Sequence, residues 1–415
     1  MKTTIIILAT LDTKGAEARY LKGEIEALGS KALLLDMGVV GEPAGFPDIL
    51  REDVAEAGGT PLSELLKNPT RQKASPVMVE GATALLTKKL SENEIHGVIG
   101  MGGTQGTSNC SKVMQALPYG FPKIMVSTVA SGDTAPFVGI KDITMMFSVG
   151  DLLGLNPLTR KILANAAASA HGMAESRVTL ETRDEGKPVI GMTNLGVLTD
   201  GAMTALDLFK KAGYEVIVFH AVGSGGRAME QLMKDGIIGA VFDYALGEIS
   251  DEIYGGLRAG GSERLTVAGQ LGIPQVLCPG GVEHIGVMVD KPDTVPPQYM
   301  EHLSVFHNPI ILAPRLQPDQ MRRVAKEIAS RLSHTEKRAV FFMPKAGTSR
   351  YGVEEGPLYD PEGDAAFLEE LKTKLPRSIE LVERDLGAED PAFVSEAVER
   401  LVSLIKEETP ATTSA

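Results

Sequence analysis

Cysteine is scarce in this chain. The 415 residues hold two, Cys110 and Cys278, far apart and outside any CxxC or clustered ligand spacing. That excludes a disulfide framework and a cysteine-based zinc site, and it fits a reducing compartment such as the cytoplasm. The seven histidines show no HxH or HExxH spacing, so no structural metal site is expected. Positive charge is short as well: 41 Lys and Arg stand against 54 Asp and Glu, a formal net charge of -13. An exterior this acidic repels nucleic-acid backbones and anionic membranes, and no basic tract interrupts it, so neither is an expected partner. Long apolar runs are missing too. The opening run, residues 5–9, is too short for a signal peptide or a membrane span and reads as a first buried strand.

What the chain has in quantity is glycine, 45 residues, gathered just after short apolar runs. That placement marks tight strand-to-helix turns. Residues 4–9, 32–36, 97–100, 123–126 and 143–147 read as strands, being short, rich in large aliphatic residues and closed by Gly, Asp, Ser or Thr. Between the first two, Tyr20, Leu21, Ile25 and Leu28 share one helical face and Gly29 supplies a stop. Strand, helix, strand at this spacing predicts a parallel sheet covered on both faces. An alanine-rich helical stretch follows over residues 151–173, and the charged residues 181–188 read as a linker. The alternation then restarts with strands at 189–192, 215–219, 240–242, 275–277, 310–312 and 340–343. Phe393, Val394, Ala397, Val398, Leu401 and Ile405 trace a terminal amphipathic helix. The chain thus reads as α/β, with two tandem Rossmann-like domains at 1–180 and 188–406, mainly parallel sheets, a cleft between them and a flexible tail at 407–415. Ligands of such sheets sit outside the carboxyl ends of the strands.

The most informative segment is Gly97-Val98-Ile99-Gly100-Met101-Gly102-Gly103-Thr104-Gln105-Gly106-Thr107. A short strand enters a glycine-dense turn, and Thr107 with Ser108 is placed to cap the helix that follows. Glycines let backbone approach an anion closely, and the free amides of a helix start point toward it. A phosphate is the natural guest. No Lys-Ser/Thr pair follows, so this is not a Walker A loop, and the dinucleotide fingerprint is met only loosely. A turn that merely packs a helix close to a sheet is the competing reading.

This loop stands beside other motifs: residues 122–133 (Pro-Lys-Ile-Met-Val-Ser-Thr-Val-Ala-Ser-Gly-Asp), Ile162-Leu163-Ala164-Asn165-Ala166, Phe219-His220-Ala221, Gly225-Gly226-Arg227-Ala228-Met229-Glu230 and Gly272-Ile273-Pro274-Gln275-Val276. Together, in this order and over essentially the whole chain, they resemble the family of the ATP-binding amino-terminal domain of the tomato mosaic virus resistance protein, whose members are mostly uncharacterised bacterial proteins. The resemblance implies two Rossmann-like subdomains, an ATP site with Mg²⁺ in the first, and a homodimer. The family loop usually reads Gly-x-Gly-Gly-Ser-Gly-Gly-Thr, whereas here Thr104 replaces the serine and Gln105 a glycine. A positive φ at Gln105 would cost about 1 kcal/mol.

Candidate nucleotide contacts are therefore Gly102, Gly103, Thr104, Gln105, Gly106 and Thr107 in the loop. Asp12, Thr13 and Lys14 follow the first strand, as a water-mediated Mg²⁺ partner, a helix cap and a phosphate partner. Asp36 ends the second strand, in place for a ribose hydroxyl. Ser127, Thr128, Ser131, Gly132 and Asp133 follow another strand. Each has a bland alternative as a turn or capping residue. In the second domain, Gly223, Ser224, Gly225, Gly226 and Arg227 repeat the loop logic and suggest a second anion site for a small-molecule substrate. His220 is a candidate acid or base, with Glu230 and Glu248 as carboxylate partners. Cys278 near His284 invites a nucleophile reading, but a buried inert thiol fits better. Three functions compete: an ATP- and Mg²⁺-dependent enzyme on a small molecule, a nucleotide-binding regulator with negligible turnover, and a non-ATP enzyme acting on a phosphorylated or carboxylated substrate. The second glycine loop favours an enzyme, because a regulator needs no second anion site.

Overall fold

A computed structural model describes residues 2–176, 178, 180 and 187–407. The linker expected at 181–188 and the tail expected at 407–415 lie outside these residues, apart from Lys187, Pro188 and Glu407. The chain divides into two compact units, Met1–Glu181 and Thr182–Ala415.

In the first unit the order is β1 (Thr4–Ala9), α1 (Leu11–Ala27), β2 (Lys31–Asp36), α2 (Arg51–Ala57), α3 (Leu62–Lys67) and α4 (Arg71–Ser91). It continues with β3 (Gly97–Gly102), α5 (Thr104–Gln115), β4 (Lys123–Ser127), α6 (Ala135–Val138), β5 (Thr144–Phe147) and α7 (Pro157–Ala174). The five strands form one parallel sheet in the order β2-β1-β3-β4-β5. Successive side chains of a strand point to opposite faces, and β1 obeys this. Ile5, Ile7 and Ala9 pack with Leu21 and Ile25 of α1 and Leu163 and Ala166 of α7. Ile6 and Leu8 pack on the other face with Met78 and Ala82 of α4 and Val113 and Met114 of α5.

The second unit runs β6 (Val189–Asn194), α8 (Thr199–Lys211), β7 (Val216–His220), α9 (Ser224–Lys234), β8 (Ile238–Ala245), α10 (Gly247–Tyr254), α11 (Val267–Leu271) and β9 (Gln275–Gly280). Then come β10 (Val287–Met288), β11 (Ser304–Asn308), β12 (Ile311–Pro314), α12 (Pro318–Arg331), β13 (Ala339–Pro344), α13 (Pro361–Lys374), β14 (Glu380–Arg384) and α14 (Pro391–Lys406). Six strands form a parallel sheet in the order β14-β13-β9-β8-β6-β7. In order of appearance, both sheets place the second strand outside the first and the third on its other side.

The α/β reading with mainly parallel sheets is borne out. One strand assignment is corrected. Residues 310–312 do not join the parallel sheet; β12 pairs antiparallel with β10 and β11 in a separate three-stranded sheet. A short apolar run carries no signal of its strand direction.

Candidate functional site

In the first sheet the chain leaves β1 toward β2 on one side and later returns to place β3 on the other. Loops diverge at such a reversal and leave a crevice at the carboxyl ends of the two strands. A cavity of about 530 Å³ lies there, within the range of small-molecule sites. Asp12, Thr13 and Lys14 line it from the first turn of α1, and Gly38 to Val40 from the loop after β2. Gly102 to Gly106 line it from the end of β3 and the first turn of α5, and Thr70 and Arg71 from the start of α4.

The glycines of the loop do different work. A Cβ on Gly100 would come 2.7 Å from Cys110 Cβ, so this residue lets α5 lie close to the sheet. A Cβ on Gly102 would come 2.8 Å from Gly106 Cα, because the first turn of α5 folds back over the strand end. Gly103 is the N-cap, with ordinary extended backbone at φ -76 and ψ -161. The helix therefore begins at Thr104, three residues before the expected caps Thr107 and Ser108. Gln105 is helical rather than at positive φ, so the substitution for glycine carries no backbone strain. Its side chain donates to Ser75 Oγ (3.1 Å) and Asn109 Oδ1 (2.9 Å), tying α5 to α4.

No side chain caps either α4 or α5. The first α5 amide with an intrahelical partner is Thr107, bonded to Gly103 O at 2.8 Å. Among the described residues, the amides of Thr104, Gln105 and Gly106 have no acceptor, and neither do those of Arg71 and Gln72 in α4. Two helix starts thus bring unpaired N–H groups and partial positive charge to one cavity. The Arg71 side chain adds a full charge at its wall. Arg71, Ser75 and Asn109 were not singled out from sequence. The Thr70-Arg71 helix start carried a signal, but only α4 folding against α5 shows that it faces the glycine loop.

Other expected contacts fall into two groups. Asp12, Thr13 and Lys14 line the cavity; Lys14 Nζ currently donates to Leu152 O. Thr107 and Ser127 are buried and joined to each other at 2.7 Å, fastening α5 to the end of β4 beneath the loop. Asp36, expected at a ribose hydroxyl, is fully buried instead. Its Oδ1 accepts the Leu11 amide (3.0 Å) and the Gly38 amide (2.8 Å), clasping the start of α1 to the loop after β2. Burial raises its pKa, against those two amides, which lower it, and Oδ2 has no partner. Thr128, Ser131, Gly132 and Asp133 do not line the cavity, and Asp133 Oδ1 accepts the Ala135 amide at the start of α6, a capping role.

The second glycine loop differs in one decisive respect. Two of its amides are already taken: Glu248 Oε1 accepts from Gly223 N (2.6 Å) and Gly226 N (3.1 Å). The expected substrate site at Gly223, Ser224, Gly225, Gly226 and Arg227 thus already holds a carboxylate of the chain itself on two of its amides. The glycines there serve packing, since a Cβ on Gly225 would lie 1.9 Å from His220 O and one on Gly226 2.0 Å from Glu248 Oε2. Glu248 Oε2 in turn accepts from Arg264 Nε at 2.7 Å. Arg264 is fully buried and also meets Asp243 through Nη1 (2.6 Å) and Nη2 (2.7 Å), and Glu230 at 3.3 Å. Burial opposes its charge, but Asp243 and Glu248 hold the guanidinium protonated well above its usual range. Glu230 also accepts the Leu265 and Val267 amides, and burial raises its pKa. The expected catalytic set of His220, Glu230 and Glu248 is not assembled: both glutamates are spent on Arg264 and backbone, while His220 is exposed with Nδ1 3.3 Å from Asn194 O.

A family model described as "Uncharacterised protein family (UPF0261) N-terminal domain" matches residues 3–179, and its C-terminal-domain counterpart matches residues 187–405. The chain belongs to the UPF0261 family. A UPF0261 protein of Clostridium tetani is 39% identical over 98% of this chain and 100% of its own length. The UPF0261 protein RA0729 of Rhizobium meliloti is 37% identical over 95% of this chain and 97% of its own. The ToMV susceptible protein tm-1(GCR26) of Solanum lycopersicum is 33% identical over 74% of this chain and 41% of the tomato protein. The resemblance read from the motifs is thereby borne out. Among solved structures, a UDP-N-acetylglucosamine 2-epimerase aligns over 99% of each chain at 9% identity and a TM-score of 0.25, too faint to inform fold or function. Among the described residues, no helix is long and apolar enough to cross a membrane.

The UPF0261 C-terminal domain holds a second buried polar cluster that sequence reasoning only touched. Glu283 is fully buried and accepts from Thr348 Oγ1 (2.7 Å), the Ser349 hydroxyl and His284 Nδ1 (3.1 Å). Burial opposes its charge, yet His284, Arg315 and Ser349 hold its carboxyl well below the usual range. A depressed carboxyl stabilises the fold above its unfolded pKa of about 4.3 and loses that contribution as pH falls through the folded value. Glu283→Gln should therefore lower the melting temperature most at neutral pH, with the gap to wild type narrowing below about pH 4. Parallel thermal melts from pH 7 to 3 check this. Cys278 is buried, and burial pushes its thiol far above the ordinary range, which supports the inert reading over a nucleophile.

Proposed function

We propose that the first unit binds a nucleoside triphosphate, ATP by family resemblance, with its phosphates on the α5 first turn. The observation that supports this most is the convergence of unpaired amides from two helix starts, together with Arg71, on one open cavity at the strand-order reversal. Backbone amides hold a phosphate locally, so the acidic exterior is no obstacle. Lys14 is within the same wall and can leave a single carbonyl to meet an oxyanion. Asp12, which lines the cavity, would offer Mg²⁺ one hard oxygen ligand of the kind the ion takes alongside phosphates and waters. When bound it would neutralise phosphate charge.

Calorimetry with ATP, ADP, NAD and a sugar phosphate, with and without Mg²⁺, tests the reading. Saturable ATP binding supports it, and no heat with any phosphate compound by a folded protein ends it. Arg71→Ala should weaken ATP by roughly tenfold, about 1.4 kcal/mol, since a cation partner is lost while the amides stay. An unchanged affinity would remove Arg71 from the site.

Two roles follow from binding, an enzyme acting on a small molecule or a regulator with negligible turnover. Glu248 favours the regulator, because it occupies two amides of the second loop that argued for a substrate. Phosphate release measured across a panel of small acceptors separates them.

A further inference from the structure

The second unit holds a smaller cavity, of about 240 Å³, at the carboxyl end of β13. It lies between the loop that leaves β13 and the first turns of α13, at the edge of a parallel sheet where ligands gather. Its volume is below the usual range for drug-sized ligands, so its guest is small. Met343 and Leu368 make part of the wall apolar, and Lys345, Glu354, Tyr359 and Asp364 bring polar groups to the rest.

Asp364 is set into this wall from behind. It is 8% exposed, and its Oδ1 accepts at 2.6 Å from Nη2 of Arg315, itself 2% exposed. Arg315 directly follows β12, and its Nη2 also donates to Asp360 O at 3.2 Å, so the first turn of α13 closes round the guanidinium. A Cβ on Gly363 would lie 2.6 Å from Asp360 Oδ2 and 3.1 Å from Arg315 Nη2, which is why that turn takes a glycine. Burial raises the Asp364 carboxyl to about 6 against the Arg315 charge, and Glu283 and Asp360 add to the rise. A carboxyl perturbed in this way on the wall of a cleft marks a candidate ligand site.

Charge decides the class of ligand. Glu354 is exposed and, among the described residues, has no hydrogen-bond or ion-pair partner. Lys345 is drawn aside by Asp385, whose Oδ1 lies 2.7 Å from its Nζ. The walls are therefore short of positive charge: Arg315 is shared by Asp360, Asp364 and the nearby Glu283, and nothing answers Glu354. A guest with a positive charge and N–H donors makes up the deficit. A bare metal ion does not suit the cavity. Among the described residues no group of three His, Cys, Asp or Glu could hold one, and it would leave Met343 and Leu368 uncovered. An ammonium on a short aliphatic stem matches both kinds of wall.

We propose that this cavity binds a small primary amine, its ammonium on Asp364 and Glu354 and its alkyl stem against Met343 and Leu368. The site lies within the second unit and does not depend on the nucleotide site proposed above.

The test is calorimetry on the full chain with four probes: butylamine, 1,4-diaminobutane, butan-1-ol and butyrate. The two amines should bind at least about tenfold more tightly than the alcohol or the acid, since only they bring a charge-assisted donor. Ala365 lines the cavity from an exposed position of α13. Ala365→Trp should therefore abolish amine binding while circular dichroism and melting temperature stay as in wild type. The groups that face Asp364 are Lys345 with its partner Asp385, Glu354 and Tyr359, and behind it Arg315, Glu283 and Asp360. An ammonium binds the charged carboxylate, so amine affinity should rise by about tenfold from pH 5 to pH 7 as Asp364 loses its proton. Asp364→Asn, which keeps the Arg315 bond through its carbonyl oxygen, should flatten that rise. Butan-1-ol or butyrate binding as tightly as the amines overturns the assignment. So does amine binding that survives Ala365→Trp, which puts the amine elsewhere on the acidic surface. No heat from either amine with a folded protein overturns it as well.

Discussion

Glu248→Ala is expected to cost the second unit about 3–5 kcal/mol, the loss that follows when one partner of a buried charge pair is removed. The reasons are local. Arg264 has no exposure and three carboxylate partners, and Glu248 alone holds its Nε while also capping the Gly223 and Gly226 amides. Removing it leaves a buried guanidinium one partner short and two buried donors without an acceptor, each orphan carrying a desolvation penalty. Domain stabilities of about 5–15 kcal/mol leave little margin for such a loss. Urea unfolding followed by circular dichroism measures it. Glu248→Gln, which keeps the amide bonds through its carbonyl oxygen but drops the charge, should fall between the two. A loss below about 1 kcal/mol for the alanine variant would mean that neighbouring carboxylates take over the role.

Gly103→Val should lower ATP affinity by roughly a hundredfold, about 2.7 kcal/mol, while leaving the fold intact. The two halves of this expectation have separate grounds. At Gly103 a Cβ would meet only Thr128 Oγ1, at 3.7 Å, and the backbone there is extended, so valine fits without strain. The residue nonetheless borders the cavity directly ahead of the free α5 amides, where added methyl groups compete with a phosphate for the same space. Gly102 is the instructive contrast. A side chain there would strike Gly106 Cα at 2.8 Å, and loss of binding could then reflect a broken turn. Unchanged calorimetric affinity in a folded Gly103→Val protein would show that the loop serves packing alone.

The fold was largely readable because buried parallel strands are uniformly apolar. Ile5 to Ala9 and Gln275 to Leu277 announce themselves whatever surrounds them. Strand β14 escaped notice because Glu380, Glu383 and Arg384 give it the composition of a surface segment, which an edge strand exposed on one side tolerates. The glycine loop was legible for the same local reason as the strands: its chemistry is written in consecutive residues. Arg71 and Ser75 were not, since they reach the cavity only by the packing of α4 against α5, some thirty residues later in sequence. The two glycine loops show the limit most sharply. As strings they carry the same message, and what separates them is Glu248, more than twenty residues beyond the second loop, where nothing nearby indicates its target.

That one carboxylate has a consequence for counting. With a tethered acid already seated on two amides of the second loop, the two like frameworks should not offer an anion equal berths. Titrations should therefore reach saturation at one molar equivalent, however much the duplicated architecture suggests two.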